Sequence, residues 1–121
     1  MDLTQDTQAL QNELVQSFPG LSLWLLPKVD PQPYAQGIVE LRAIHIPKAL
    51  RKQGIGSQVM ERLIAWADEC QLILALSPST DLGATSIGRL QKFYRQFGFV
   101  SNKGRFKDFR SRETMIRYPS N

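Results

Sequence analysis

The residues best placed to do chemistry in this chain are Arg51, Lys52, Gln53, Gly54, Ile55, Gly56 and Ser57. They follow an apolar run at 38–46 that Pro47 closes, and they precede a helical pattern at 58–70. A strand, a glycine-bearing turn and a helix in that order form an anion site. The first-turn N–H groups of a helix lack intrahelical acceptors, and the helix dipole adds partial positive charge there. Glycines at 54 and 56 let a ligand approach the backbone and permit the φ values that a nest of N–H groups needs. Arg51 and Lys52 add formal charge, so the expected ligand is a phosphate or pyrophosphate. A Walker loop would close on Gly-Lys-Ser/Thr, and a dinucleotide fingerprint would need a third glycine where Val59 stands. Both nucleotide loops fail on residues.

The elements that must hold this turn are legible from periodicity. Leu10, Leu14 and Phe18 recur at helical spacing over 4–18, and Pro19-Gly20 stops them. Residues 21–26 form an apolar run bounded by Pro27 and read as a strand, whereas 28–36, with Pro31 and Pro33, read as a loop. The next strand spans 37–46. In the helix after the glycine turn, Val59, Met60, Leu63, Ile64 and Ala67 make a buried stripe, with Glu61, Arg62, Asp68 and Glu69 facing water. A buried strand at 72–76 and a polar loop at 77–83 follow. The second helix, at 85–96, turns Leu90, Phe93 and Phe97 inward and stops at Gly98. Residues 99–101 and 113–118 read as antiparallel strands. The segment joining them carries Lys103, Arg105, Lys107, Arg110 and Arg112 and is expected to be mobile. Strands alternating with helices and ending in a hairpin predict a mixed, three-layer α/β domain, its sheet flanked by helices.

Composition narrows the function classes. At 121 residues the chain has the size of one domain with a real core, and 42% hydrophobic residues exclude a disordered polymer. A formal net charge of +4 suits an anionic ligand without demanding nucleic acid. The single cysteine, Cys70, forbids an internal disulfide, suits a reducing compartment and reads as a packing residue. One histidine and one cysteine do not make a zinc site, so no metal is expected. The apolar runs are too short to span a bilayer, and the Asp- and Gln-rich start shows no secretory signal. The expected location is the cytoplasm.

Two motifs in order carry a family resemblance. Arg51, Gly54 and Gly56, as Arg-x-x-Gly-x-Gly after a strand ending in Pro47, resemble the acyl-CoA pyrophosphate loop of the GNAT superfamily of N-acetyltransferases. The later run Arg89-Leu90-Gln91-Lys92-Phe93-Tyr94-Arg95-Gln96-Phe97-Gly98-Phe99 looks like the GNAT segment in which an aromatic-Tyr pair precedes a Gly-Phe exit. With a helix and a strand between them, the two together are far more specific than either alone. The resemblance covers 37–99 well and the final hairpin loosely. It implies a compact GNAT-like fold with a shortened N-terminal part.

The resemblance also implies an activity: transfer of an acetyl group from acetyl-CoA to a primary amine, directly within a ternary complex. Residues 51–57 would bind the pyrophosphate, and the backbone of Ile44, His45 and Ile46 would pair with the pantetheine arm. Glu40 would be the general base and Tyr94 the general acid that protonates the departing thiolate. Against these roles, Glu40 also reads as a strand carboxylate paired with Arg42, and Tyr94 as a core aromatic. The His45 side chain reads as half-buried and structural. Two positions depart from the family pattern: Ile87 stands for an asparagine that contacts the cofactor, and Leu90 for a small residue. A non-catalytic acyl-CoA-binding regulatory module is therefore a competing reading. The basic stretch from Lys103 to Arg112 reads first as a solvated hairpin loop, next as a hold for the 3′-phosphate of CoA or an acidic acceptor, and least as part of a nucleic-acid-binding domain with Phe106 and Phe109 stacking among its cations. The acceptor, a small molecule or a protein, is not specified. A homodimer could form through the terminal strand at Met115 and Ile116.

Overall fold

The structure, a computed structural model, describes residues 3–28, 37–48, 53–79 and 86–120. The elements are α1 (Leu3–Ser17), β1 (Ser22–Lys28), β2 (Ile38–His45), α2 (Ile55–Glu69), β3 (Ile73–Leu76), α3 (Ile87–Arg95), β4 (Val100–Ser101) and β5 (Met115–Arg117). Arg51 and Lys52 lie outside the described residues, as do most of the loops expected at 28–36 and 77–83. No helix among the described residues is long and apolar enough to cross a membrane.

The five strands form one mixed sheet in the order β1-β2-β3-β5-β4. The pair β2–β3 is parallel, so its connection must return along the sheet, and α2 makes that crossover. The other neighbours run antiparallel. Alternation along the strands sorts the interior into two clusters. Leu23, Leu25, Val39, Leu41, Leu74, Leu76 and Met115 meet the buried residues of all three helices in the larger one. Ile38, Ile73, Ala75 and Ile116, on the intervening positions, form the smaller one. The result is a mixed α/β fold with a central sheet flanked by helices.

Each helix has local reasons for its extent. In α2, Val59, Met60, Leu63 and Ala67 are buried as the stripe predicts, and Ile64 is half-buried at its margin. The helix ends in a Schellman arrangement: Leu72 N–H donates to Ala67 O at 2.7 Å and Gln71 N–H to Asp68 O at 3.2 Å. Gln71 holds the left-handed φ of 56° that glycine usually supplies. Ser86 caps α3, its Oγ accepting from Arg89 N–H at 3.1 Å, and Lys92 and Arg95 suit the negative end of the dipole. Pro27 is accommodated because β1 lies at the sheet edge.

Two expectations are overturned. The terminal strand offers no edge for a partner chain, because β5 lies between β3 and β4 with Met115 and Ile116 in the core. Asp68 is not left to water as the helix pattern predicts: it is only partly exposed and is paired. Arg117, buried on β5, donates from both terminal nitrogens to the Asp68 carboxylate at 2.8 and 3.0 Å, and from Nε to Phe97 O at 2.7 Å. A guanidinium is expensive to bury alone, so the last turn of α2 supplies its counter-charge while the end of α3 supplies a further acceptor.

The Arg117 guanidinium holds the Asp68 carboxyl below its ordinary range, against the opposing push of burial. Asp68→Asn should cost about 2 kcal/mol at neutral pH, a discounted buried-pair value because Asp68 is partly exposed. A depressed carboxyl stabilises the fold above its unfolded pKa of about 3.9, and the gain is lost as pH falls through the folded value. Denaturant titrations of wild type and Asp68→Asn should therefore differ fully at pH 7 and converge below about pH 4.

Candidate active site

The ladder between β2 and β3 runs from Ile38↔Ile73 to Leu41↔Leu76 and ends there, although β2 continues against β1 to His45. Beyond that point a cavity of about 330 Å3 occupies the space between the two chains. Leu41, Arg42, Ala43 and Ile44 line one wall, residues 76–79 the other, and Leu90 and Tyr94 of α3 close it. In open sheets with parallel strands, ligands bind at the strands' carboxyl ends where the chain direction switches.

A β-bulge coincides with this opening. Trp24 pairs with Ala43 and Leu25 with Leu41, which leaves Arg42 unopposed on β1. An extra residue reverses the side-chain parity of everything after it. Accordingly Val39 and Leu41 face the larger cluster before the bulge, and Ile44 and Ile46 pack against it afterwards. Arg42 itself is turned out to the exposed rim.

The start of α2 lies beside the same strand end. Gly54 holds a left-handed φ of 74° as its N-cap, and no side chain caps the helix. The first turn contains no acidic residue, which leaves its N–H groups and dipole directed at any incoming anion. A Cβ on Gly56 would lie 3.4 Å from Ile46 Cδ1 and 3.6 Å from Phe93 Cζ, so the turn, the end of β2 and α3 converge there. Of the expected pyrophosphate set, Gln53, Gly54, Ile55, Gly56 and Ser57 are thus together at one helix start.

Tyr94 is the buried residue of α3, whereas Leu90, Phe93 and Phe97 are only partly buried. Its ring packs edge-on against Phe93 and Phe99, with centroids at 5.3 and 5.9 Å. Among the described residues, none is hydrogen-bonded to its hydroxyl. Burial pushes the phenol above its ordinary pKa, so it keeps its proton at neutral pH. Ile87, the departure at the helix start, is 47% exposed, whereas Leu90 reaches the cavity wall.

A family model for the acetyltransferase (GNAT) domain matches residues 25–101, more than half of the chain and all of the opening just described. The chain belongs to the GNAT acetyltransferase family. Its activity is therefore of the acetyl-CoA-dependent acetyltransferase class. No curated protein sequence matches it. Within this GNAT domain the described residues hold no group of three or more His, Cys, Asp or Glu side chains that could bind a metal.

Glu40 of the GNAT domain points to the face opposite Leu41 and is not part of the cavity wall. It is only 4% exposed. Ser111 Oγ–H donates to its Oε2 at 2.9 Å, Lys28 Nζ lies 3.8 Å from Oε2, and Arg42 NH1 lies 3.6 Å from Oε1. Arg42 also pairs closely with Glu113. The expected pairing with Arg42 is present, and the burial of Glu40 excludes a solvated strand carboxylate.

Lys103, Arg105, Arg110 and Arg112 of the basic hairpin are exposed, as a solvated loop requires. Residues 103–112 are nonetheless organised as a loop built on the buried Asn102. The Asn102 amide donates to the carbonyls of Asp108, Ser111 and Glu113 at 3.1–3.3 Å, and its Oδ1 accepts from Asp108 N–H at 2.7 Å. Arg110 is spent on Asp108 through contacts of 2.6–3.2 Å, and Tyr118 O–H donates to the same carboxylate at 2.8 Å. These cationic and phenolic donors hold the Asp108 carboxyl far below its usual range. Phe109 is 83% exposed, with Lys107 Nζ 5.5 Å from its ring centroid. Thr114 N–H donates to Ser77 Oγ at 2.9 Å, tying the loop to the cavity wall.

Sequence reasoning missed the wall at Leu41, Arg42, Ala43 and residues 76–79. The signal was available in part, since 77–79 follow the carboxyl end of a strand paired in parallel with the glycine-loop strand. Ser111 had no such signal. Asn102→Ala would strand several buried loop groups, so a loss of about 2 kcal/mol is expected. Hydrogen exchange at 103–112 should accelerate much more than in β3.

Proposed function

We propose that this GNAT domain acetylates a primary amine, transferring the acetyl group directly within a complex that holds both substrates. The observation that carries the reading is the opening between β2 and β3, whose wall includes Tyr94, with the uncapped start of α2 beside the end of β2 at Ile46. The pantetheine arm of acetyl-CoA would lie along Ile44, His45 and Ile46, using the strand direction that β3 no longer occupies. One backbone N–H there would polarise the thioester carbonyl. The pyrophosphate would rest on residues 51–57, using the uncapped N–H groups and dipole at the start of α2, with Arg51 and Lys52, which precede it in sequence, adding formal charge.

Chemistry then requires two proton movements. The acceptor arrives as an ammonium and must lose a proton before its nitrogen attacks the acetyl carbon; Glu40 would take it, directly or through water. As the C–N bond forms and the C–S bond breaks, the thiolate needs a proton, and Tyr94, held neutral by burial, would supply it. Leu41, Leu76 and Leu90 give the cavity around Tyr94 an apolar lining, in which a thioester would be less hydrated.

Calorimetric titration tests the donor site. Wild type should bind acetyl-CoA, and Gly56→Asp should weaken binding at least about tenfold by placing a like charge against the pyrophosphate. The thermal midpoint should hold, because an acidic first turn suits a helix. Turnover is tested by CoA release with spermidine, an aminoglycoside, a lysine peptide and a peptide with a free N-terminus. Tyr94→Phe and Glu40→Gln should each lower kcat about 100-fold while acetyl-CoA affinity stays unchanged. Tight acetyl-CoA binding with no CoA release from any amine would overturn the reading.

A further inference from the structure

We propose that Ser111 is the positioning residue for Glu40, locking one carboxylate oxygen so that the other serves as the proton acceptor. The inference rests on the reading of Glu40 as the base. A carboxylate offers about four acceptor sites on two oxygens, and a base that must accept one proton along one direction needs its rotation arrested. Two cations stand near Glu40, but neither arrests it. Lys28 Nζ at 3.8 Å and Arg42 NH1 at 3.6 Å lie beyond hydrogen-bond reach, and they act through charge alone. Both also have other acceptors: Lys28 donates to Arg110 O at 3.3 Å, and Arg42 NH1 donates to Glu113 Oε1.

Ser111 is different. Its hydroxyl donates to Glu40 Oε2 at 2.9 Å, and the same oxygen accepts from Glu113 N–H at 3.1 Å. A hydroxyl has one proton; with the backbone N–H occupying a lone pair, that proton is directed at Glu40. Both side chains are buried, Ser111 at 1% exposure and Glu40 at 4%, so the bond does not exchange freely with water. Among the described residues, Oε1 receives no hydrogen bond, which makes it the oxygen available to an ammonium proton. Once Oε1 has taken that proton, the freed amine attacks the acetyl carbon and the proton of Tyr94 passes to the departing sulfur. Asn102 sets the position of Ser111 by bonding to its carbonyl at 3.3 Å and to the carbonyls on either side, so the loop delivers the hydroxyl across 71 positions of sequence.

A double-mutant cycle on kcat decides the matter, with acetyl-CoA and the most active amine of the panel as probes. Ser111→Ala should lower kcat at least about tenfold, since a misplaced base loses the near-attack geometry, and should leave the KM for acetyl-CoA unchanged. Ser111→Thr, which keeps the donor, should retain most of kcat. In a Glu40→Gln background, Ser111→Ala should have no further effect, because the group it orients is gone. An equal loss in both backgrounds would overturn the proposal and reduce Ser111 to a loop-packing residue. If Glu40→Gln leaves kcat intact, the base assignment itself fails and the proposal falls with it. Should Ser111→Ala not fold, Ser111→Cys, of similar size but a weak donor, takes its place in the cycle.

Discussion

Most of this structure depends on where two strands stop pairing. The parallel ladder between β2 and β3 lasts four residue pairs, from Ile38↔Ile73 to Leu41↔Leu76. Immediately beyond it, the unopposed Arg42 shifts the register of β2 against β1. These two facts act together. An end to the ladder alone would leave a gap between strands whose side chains still followed the old alternation. The bulge reverses that alternation, so Ile44 and Ile46 turn toward the helices and Arg42 is set on the rim. Ile46 then lies beside Gly56 and Phe93, so the strand end, the helix start and α3 come together next to the cavity that Ile44, Leu90 and Tyr94 line. An acyl donor with a long polar arm and an anionic head suits such a place, because a strand edge and a helix terminus adjoin.

The opposite face of the sheet joins a small apolar cluster, Ile38, Ile73, Ala75 and Ile116, to a set of buried charges. Glu40 is buried there with a hydroxyl and two cations around it, and Arg42 NH1 donates to Glu113. Buried charges are tolerated only when they are paired, and the pairing requires the loop after β4 to come back over the sheet. Asn102 makes that return reproducible by tying three carbonyls and one N–H of the loop to a single side chain. Asp68 and Arg117 do comparable work at the other end, joining α2 to β5. Polar bonds of this kind add little net stability, yet they specify one arrangement of the groups around Glu40.

Helices and strands were legible where periodicity was strong. The stripe of Val59, Met60, Leu63 and Ala67 predicted α2, and the apolar runs predicted β1, β2 and β3, with bounds off by one to three residues at most ends. The family was also legible, because the glycine turn and the Phe93-Tyr94 segment are local motifs in a fixed order. Their partners were not. Asp68 looked like a solvent residue since its helical position is polar, and the buried Arg117 that claims it lies 49 residues away. The segment at 103–112 looked like a charged connection since composition shows the cations and hides the Asn102 bonds that hold it. The terminal strand looked like an edge because its chain position is last, whereas sheet order placed it inside.

The division follows the range of the forces involved. Amphipathic spacing, helix caps and the Gly54 and Gly56 turn act over a few residues, so the sequence by itself determined the elements, the glycine-bearing start of α2 and the candidacy of Tyr94. The bulge at Arg42 comes from a mismatch between two strands. The cavity comes from a ladder that ends, and the setting of Glu40 comes from a hydroxyl 71 positions along the chain. Each of these is a relation between distant segments, fixed only when the sheet forms and burial makes an unpaired charge costly. Tertiary structure alone decided them.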